Sequence, residues 1–323
     1  MKTNWYSALT IVVATLLGTH AVQSHAQAYP NRPIKIVVPY AAGGSTDQLA
    51  RIIQQPLSEA LGQPVVIENK AGAGGTIGVD HVVRSPADGY TLVFGNTGPN
   101  AVVSLMRKLT YDIHADLQPI STVAITPMIL AVPSSSPANN VKEFLALAKA
   151  NPGKFNFGSV GAGSLSHLTG EYFNELAGVQ IQHIPYKGGA PMLTAFLGGD
   201  LQAAFVTGLD GGAMLATGRV KYLAVATPQT THVVPGLPVI TTDVPGFQSN
   251  AWFGLLAPKG TPDDVVAKIN AAVVAAVKKP EIRKHFTDRN VEPRSSTPVE
   301  LSNIIRAEIT QWAPIIKKHK IEM

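Results

Sequence analysis

Cysteine is absent from the 323-residue chain. Its absence excludes disulfides, thiolate metal sites, cysteine nucleophiles and a lipid anchor attached through cysteine. Charged residues are also sparse, at 15%, and the net charge of +5 is spread along the sequence. The weak, dispersed charge predicts no nucleic-acid partner, because such partners need a concentrated basic surface. A chain of this size can instead bury a core large enough to fold without covalent links.

Motifs for cofactors and catalysis are missing as well. The sequence contains no phosphate-binding G-x-x-x-x-G-K-[ST], no G-x-S-x-G elbow and no H-E-x-x-H zinc pattern. The segment GAGGTIG, Gly72–Gly78, has the spacing G-x-G-x-x-x-G, and no acidic residue at a new strand end follows it as a dinucleotide site requires. The nine histidines show no metal-ligand spacing. We therefore expect no cofactor, no metal and no catalytic residue.

The N-terminus has the pattern of a secretory signal peptide. Lys2 is followed by the apolar run Ala8–Gly18 and by small residues at Ala26 and Ala28. The apolar run is shorter than the roughly 20 residues that span a bilayer. We expect Sec export to the periplasm, cleavage of residues 1–28 before Tyr29, and no membrane insertion of the mature chain.

Short apolar runs alternate with helical patterns from Tyr29 onward, which is typical of βαβ units and an α/β fold with mainly parallel sheets flanked by helices. The predicted strands are Ile34–Pro39, Val65–Glu68, Leu92–Gly95, Ile129–Val132, Phe155–Gly158, Gln182–Pro185, Ala204–Val206, Tyr222–Ala226 and Trp252–Ala257. The predicted helices are Asp47–Leu61, Val141–Ala150, Leu165–Ala177, Pro191–Leu197 and Gly212–Ala216, with two more after Pro262 and Pro298.

Capping patterns mark several helix starts. Thr261 and Thr297 each precede a proline and have a carboxylate three residues later, which predicts an N-cap threonine. Ser45, with Gln48 three residues on, predicts a capping box at the first helix.

Two apolar extended segments bounded by proline have no helix attached directly. These segments, Thr126–Pro133 and Asn250–Pro258, can pass between two α/β lobes. One lobe then holds residues 29–126 plus 247–323 and the other holds 127–246. The cleft between such lobes is a natural ligand site, and the linking segments act as hinges.

A glycine-rich turn between a strand and a helix occurs once in each predicted lobe. VPYAAGGSTD leads into the first helix, and FGSVGAGSLSHL leads into the helix at Leu165. A helix N-terminus carries unpaired N–H groups and partial positive charge, so both turns suit an anion. Asp47 either satisfies those amides or faces a donor of the ligand, and His167 either faces the ligand or packs between lobes. A third turn, HIPYKGGAP, repeats the pattern.

The order of these motifs resembles the periplasmic solute receptors of tripartite tricarboxylate transporters, the Bug-type receptors. The similar segments are YPNRPIKIVVPYAAGGSTD, LGQPVVIENKAGAGGTIG, SPADGYTL, FNFGSVGAGSLSHLTGE, HIPYKGGAP, LGGDLQAAF and WFGLLAPKGTP. The resemblance implies a two-lobed type II periplasmic-binding-protein (Venus flytrap) fold that closes over a small carboxylate: a di- or tricarboxylate, an acidic amino acid or an aromatic acid. It also implies a monomer that transiently contacts the membrane permease subunits of such a transporter.

In this family, main-chain amides and waters of two loops hold the solute. These loops correspond here to Tyr40–Asp47 and Ser159–His167, and the turn after the third strand, here Asn96-Thr97-Gly98, also contributes. Carried over to this chain, the resemblance together with the turns above gives these ligand-binding candidates: Tyr40, Ala42, Gly43, Gly44, Ser45, Asp47, Asn96, Thr97, Ser159, Gly161, Ala162, Gly163, Ser164, Ser166, His167, Tyr186 and Asp210.

The chain departs from the family at two places. Pro-Phe-Pro-Pro-Gly-Gly is common at the first loop, where this chain has Pro39-Tyr40-Ala41-Ala42-Gly43-Gly44. Relatives often carry an Asp-Asn pair after the strand that ends near Val206, and here Asp210 is the acidic residue nearby. A secreted hydrolase or isomerase using Ser166 and His167 is the alternative function, and a receptor that feeds a two-component sensor is another.

Overall fold

The computed structural model describes residues 29–322, so the predicted signal peptide lies outside the described part of the chain. The strands are β1 (Ile34–Val38), β2 (Val65–Asn69), β3 (Thr91–Asn96), β4 (Leu117–Pro133), β5 (Phe155–Ser159), β6 (Ile181–Pro185), β7 (Ala203–Thr207), β8 (Val220–Val225), β9 (Asn250–Pro258) and β10 (Glu292–Pro293). The helices are α1 (Ser45–Leu61), α2 (Thr76–Val83), α3 (Val141–Ala150), α4 (Leu165–Ala177), α5 (Gly189–Gly198), α6 (Gly208–Leu215), α7 (Asp263–Lys278), α8 (Pro280–Thr287) and α9 (Pro298–Lys318).

The α/β fold is confirmed, but strand directions are mixed. The outer strands are parallel: β1 pairs with β2 and β3, and β5 pairs with β6 and β7. The central strands are antiparallel, since β9 pairs with β3 and β4, and β4 pairs with β7 and β8. The prediction of mainly parallel sheets was wrong at the centre, because a strand that crosses between sheet regions carries no βαβ crossover of its own.

Strand β4 is long and pairs with different strands along its two parts. Its residues Leu117–Pro127 pair with β9, and Met128–Pro133 pair with β7 and β8. We call β2, β1, β3, β9 and residues 117–127 the first half of the sheet, and β6, β5, β7, β8 and residues 128–133 the second half. The chain passes this boundary a second time at Ser249, whose carbonyl accepts from the Met128 N–H at 3.1 Å. We call this place the crossing point.

The register of β4 and β9 brings the carboxyl ends of the outer strands together. Asn96, the last residue of β3, is opposite Phe253 near the start of β9. Thr207, the last residue of β7, is opposite Met128. Strands parallel to β3 or β7 end at the same edges. The turns that follow β1, β3, β5 and β7 are therefore grouped around the crossing point. The predicted division into lobes at residues 126/127 and 246/247 stays a prediction.

The helix starts confirm one capping prediction and correct two. At α9, Thr297 and Glu300 form the expected reciprocal box. At α7 the prediction was wrong: the helix begins at Asp263 after Pro262, and the Thr261 hydroxyl donates to the Pro258 carbonyl at 2.8 Å. At α1 the N-cap is Gly44, with no side-chain cap. Ser45 is already helical, which frees its hydroxyl for another partner.

Apolar residues at helical spacing place one face of α7 and one face of α9 in the core. Val266, Ile269, Val273 and Val277 of α7 are all buried, and α7 packs against α1. In α9, Ile305, Trp312 and Ile316 are buried in the same way.

Between residues 29 and 322 no helix is long and apolar enough to cross a membrane. No group of three or more potential metal ligands occurs in that range either.

Candidate ligand-binding site

The loop between β1 and α1 is held by Asp47. Gly43 has φ of +91°, a conformation that favours glycine, and its N–H donates to Asp47 Oδ2 at 2.9 Å. Asn69 Nδ2 and Arg51 Nε donate to the same carboxylate, which is 3% exposed. Burial raises the pKa of Asp47, but these hydrogen bonds outweigh it and the pKa lies below its usual value. The geometry supports the first interpretation of Asp47, as the acceptor for loop amides, and its contact with ligand stays a prediction.

The end of β3 is tied to the start of α1 through Asn96. The Tyr40 hydroxyl donates to Asn96 Oδ1 at 3.1 Å, and Asn96 Nδ2 donates to the Thr46 hydroxyl at 3.0 Å. Next to Asn96, Thr97 is 1% exposed and its hydroxyl donates to Glu308 Oε1 at 3.1 Å. The structure thus brings three predicted residues of the first half together and adds Thr46 and Glu308.

The loop between β5 and α4 is stabilised by its own serines. Ser159 Oγ accepts from the Gly161 N–H at 3.2 Å, and Ser166 Oγ accepts from the Val160 N–H at 3.1 Å. Ser164 caps α4. Gly161 and Gly163 have φ of +149° and +71°. The serine hydroxyl groups therefore hold the loop in one conformation through hydrogen bonds within the protein.

Two stacked imidazole rings, those of His167 and His183, form hydrogen bonds with this loop. His167 Nδ1 accepts from the Gly163 N–H at 3.1 Å, and His183 Nε2 lies 2.6 Å from Ser159 Oγ. The two rings stack with centroids 3.6 Å apart. Burial lowers the pKa of His167 to about 4 and that of His183 to about 3, helped by repulsion from His319 and His167 respectively. Both rings are therefore neutral at pH 7, and the geometry supports the packing interpretation of His167.

Acidification should destabilise the protein through this pair. The ordinary pKa of histidine is 6.5 and the folded value is far lower, so the stability is fully present above about pH 6.5 and is lost as the pH falls towards 4. For His183 the loss is about 2 kcal/mol at pH 5. The His183→Gln variant should therefore lose less stability than the wild-type protein between pH 7 and pH 5 in urea unfolding. Exposed His114 provides the control variant, His114→Gln, which should follow the wild type. Equal losses in the wild type and His183→Gln would contradict the buried neutral pair.

The third turn lies against the second loop. The Tyr186 N–H donates to the Ser159 carbonyl at 3.0 Å, and the Gly188 N–H donates to the Val160 carbonyl at 3.0 Å. Lys187 between them is exposed. Tyr186 is thus placed beside the predicted anion loop.

The two halves of the sheet meet at Ser45. Its hydroxyl lies 3.0 Å from the Thr207 hydroxyl at the end of β7. Thr207 caps α6 by accepting from the Asp210 N–H, and it donates to Asp210 Oδ2 at 2.8 Å. The N-termini of α1 and α6 are therefore directly connected. This connection does not include the loop before α4.

Several backbone amides around these turns have no acceptor within residues 29–322. They include the N–H groups of Gly44, Thr46 and Ala162. An N–H at the start of a helix binds an anion well, because it is unpaired and lies at the positive end of the helix dipole. The arrangement can hold a carboxylate without a basic side chain.

The alternative catalytic pair is not assembled. The Ser166 hydroxyl contacts the Val160 N–H and Ser164, and His167 Nδ1 contacts Gly163. In the described part of the chain no hydrogen bond joins the side chains of Ser166 and His167, as a nucleophile and its base require.

Comparison with known proteins gives a consistent result. The profile described as "Tripartite tricarboxylate transporter family receptor" matches residues 49–321. Protein BugT of Bordetella pertussis is 33% identical over 315 residues, which cover 96% of this chain and 97% of BugT.

Two solved structures with ligands are also similar. Rpa4515 of R. palustris with adipate has a TM-score of 0.86 and 33% identity, covering 91% of this chain and 99% of that one. MatC (Rpa3494) from Rhodopseudomonas palustris with bound malate has a TM-score of 0.82 and 33% identity, covering 89% of this chain and 100% of that one. Periplasmic solute-binding proteins thus share this fold over nearly its whole length.

Proposed function

The chain belongs to the tripartite tricarboxylate transporter receptor family, and we propose on this premise that it captures a small carboxylate in a cleft between two lobes and delivers it to the permease of such a transporter. The family consists of solute-binding receptors, so the chain is a receptor and not an enzyme. The periplasm is the compartment where such a receptor works, and the signal-peptide pattern of residues 1–28 supports export.

The observation that carries the proposal is the set of unpaired amides at Gly44, Thr46 and Ala162. Moving a carboxylate out of water is costly unless several donors replace its hydration. Helix N-termini provide such donors in fixed positions and need no rearrangement. Adipate and malate, the ligands of the two related structures, both carry carboxylates.

The same geometry supports closure of the proposed cleft. The Ser45–Thr207 hydrogen bond joins the first half of the sheet to the second half. A ligand held by both α1 and α4 adds further bonds across the same boundary and favours the closed arrangement. In our proposal, the permease recognises the surface of the closed form.

Thermal unfolding of the mature protein with a panel of acids tests the binding step. A ligand at about 100 times its Kd should add roughly 2.7 kcal/mol to the free energy of unfolding. We expect stabilisation by at least one mono-, di- or tricarboxylate or acidic amino acid, and none by neutral sugars. Stabilisation by a sugar, with no response to any acid, would contradict the carboxylate site.

Uptake measurements test the delivery step. Membrane vesicles containing the partner permease should accumulate the bound acid only when the receptor is added. Uptake that is independent of the receptor would contradict delivery while leaving binding intact.

A further inference from the structure

Asp210 lies in the first turn of α6, on the second-half side of the boundary with α1. Its Oδ2 accepts from the Thr207 hydroxyl, which in turn contacts the Ser45 hydroxyl of α1. A Cβ placed on Gly189, at the start of α5, would lie 3.6 Å from Asp210 Oδ1. The carboxylate is therefore surrounded by the starts of three helices from both halves of the sheet.

No cation neutralises this carboxylate. None of the ion pairs formed by residues 29–322 includes Asp210. Burial raises its pKa, and hydrogen bonds from Ser45 and Thr207 act against that rise. By contrast Asp47, on the other side of Ser45, is paired with Arg51 at 2.9 Å. One of the two acids that flank Ser45 is thus neutralised within the protein and the other is not.

The unpaired charge affects any acid bound at the start of α1. A ligand carboxylate accepting from the Gly44 and Thr46 N–H groups would lie beside the Ser45–Thr207–Asp210 connection. Two carboxylates about 6 Å apart repel by roughly 1–3 kcal/mol at the effective dielectric of a protein surface. A hydrogen-bond donor of the ligand that faces Asp210 converts this repulsion into a charge-assisted hydrogen bond.

We propose that Asp210 selects acids with an ammonium or hydroxyl group on the carbon next to a carboxylate over the corresponding unsubstituted acids. The ligand's carboxylate binds the α1 amides and its neighbouring donor binds Asp210. This inference rests on the proposed function, because it requires a carboxylate at the α1 amides.

Matched acids that differ only in that donor test the proposal by calorimetry. Malate and aspartate are compared with succinate, glutamate with glutarate, and phenyllactate with 3-phenylpropionate. We expect the substituted acid of at least one pair to bind the wild-type protein about 10-fold or more tightly, which is about 1.4 kcal/mol. In Asp210→Asn the preference should fall to about 3-fold or less, which is about 0.6 kcal/mol.

Two further variants make the test specific. Asp243→Asn changes the charge equally at an exposed site and should keep the wild-type preference. Asp210→Ala removes the side chain while Thr207 still caps α6, and it serves if Asp210→Asn unfolds.

The outcomes separate the two proposals. Equal binding of paired acids to the wild type, or a preference that persists in both Asp210 variants, overturns the role of Asp210 and leaves the receptor function standing. Binding of none of the seven acids counts against the carboxylate site itself.

Discussion

Above pH 7 the Glu308→Gln variant should be more stable than the wild-type protein. Glu308 projects from α9 and accepts from Trp252 Nε1 at 2.8 Å and from the Thr97 hydroxyl at 3.1 Å. Burial raises the pKa of this carboxyl to about 8, although the two hydrogen bonds act in the opposite direction. A carboxyl that is removed from water and has no cation beside it is more stable protonated.

The sign of the pH dependence follows from the two pKa values. The ordinary glutamate value is 4.5 and the folded value is about 8. The stability due to this group is fully present below pH 4.5 and is lost as the pH rises through 8, by up to about 4 kcal/mol at pH 8. Glutamine is neutral at every pH, accepts from Trp252 and donates to Thr97, so it avoids the loss.

Urea unfolding from pH 5 to pH 9 measures the effect. The difference between Glu308→Gln and the wild type should increase steadily over that range, whereas Glu281→Gln, at an exposed position, should follow the wild type. A constant difference at all pH values would show that Glu308 ionises at its ordinary pKa. Because Thr97 follows β3 and Trp252 lies near the start of β9, the ionisation of Glu308 acts on a predicted ligand loop and on the crossing point together.

The second large effect is expected from Gly163→Val, which should weaken carboxylate binding at least about 100-fold, or about 2.7 kcal/mol. Gly163 has φ of +71°, which a β-branched residue does not adopt without strain, so the loop must move. Its N–H would leave His167 Nδ1, and the neighbouring Ala162 amide would turn from its position. Each lost hydrogen bond to a charged ligand costs about 1.5–3 kcal/mol.

Gly153 is a matched control at the opposite end of β5. It also has φ of +71°, with open space around its Cβ position. We expect Gly153→Val and Gly163→Val to lose similar stability, about 1–3 kcal/mol. Only Gly163→Val should lose binding, measured by calorimetry with an acid that binds the wild type. Full affinity in a folded Gly163→Val variant would remove the second loop from the site.

Helices with a strong start and stop were predicted to the residue. Leu165–Ala177 and Val141–Ala150 are confirmed at both ends, because Ser164 and Asn140 cap them and Gly178 or Asn151 follows. The helix Thr76–Val83 was missed, because it begins after Gly75 and has no side-chain cap. Residues 117–125 of β4 were missed because Pro119 interrupts the apolar pattern, and pairing with β9 overrides that interruption.

The candidate site was predictable where backbone turns define it and less so where distant side chains complete it. Asn96 and Tyr40 were proposed and do lie together. Thr207 and His183 were missed, because only the register of β4 brings Thr207 to Ser45 and only β6 pairing brings His183 beside Ser159. Glu308 had a readable signal: it lies three residues after Ile305 and four before Trp312, on the apolar face of α9.

The position of β9 between β3 and β4 also determines when each part of the protein can form during synthesis. The partner of β3 begins about 150 residues after β3 ends, whereas the strands of the second half are continuous in the chain from β4 to β8. At ribosomal rates, roughly 10–30 s pass before β9 emerges, and during that time β3 presents an unpaired, apolar edge. The nascent chain can complete its second half first, and it then depends on the last quarter of the polypeptide to cover the edge of β3.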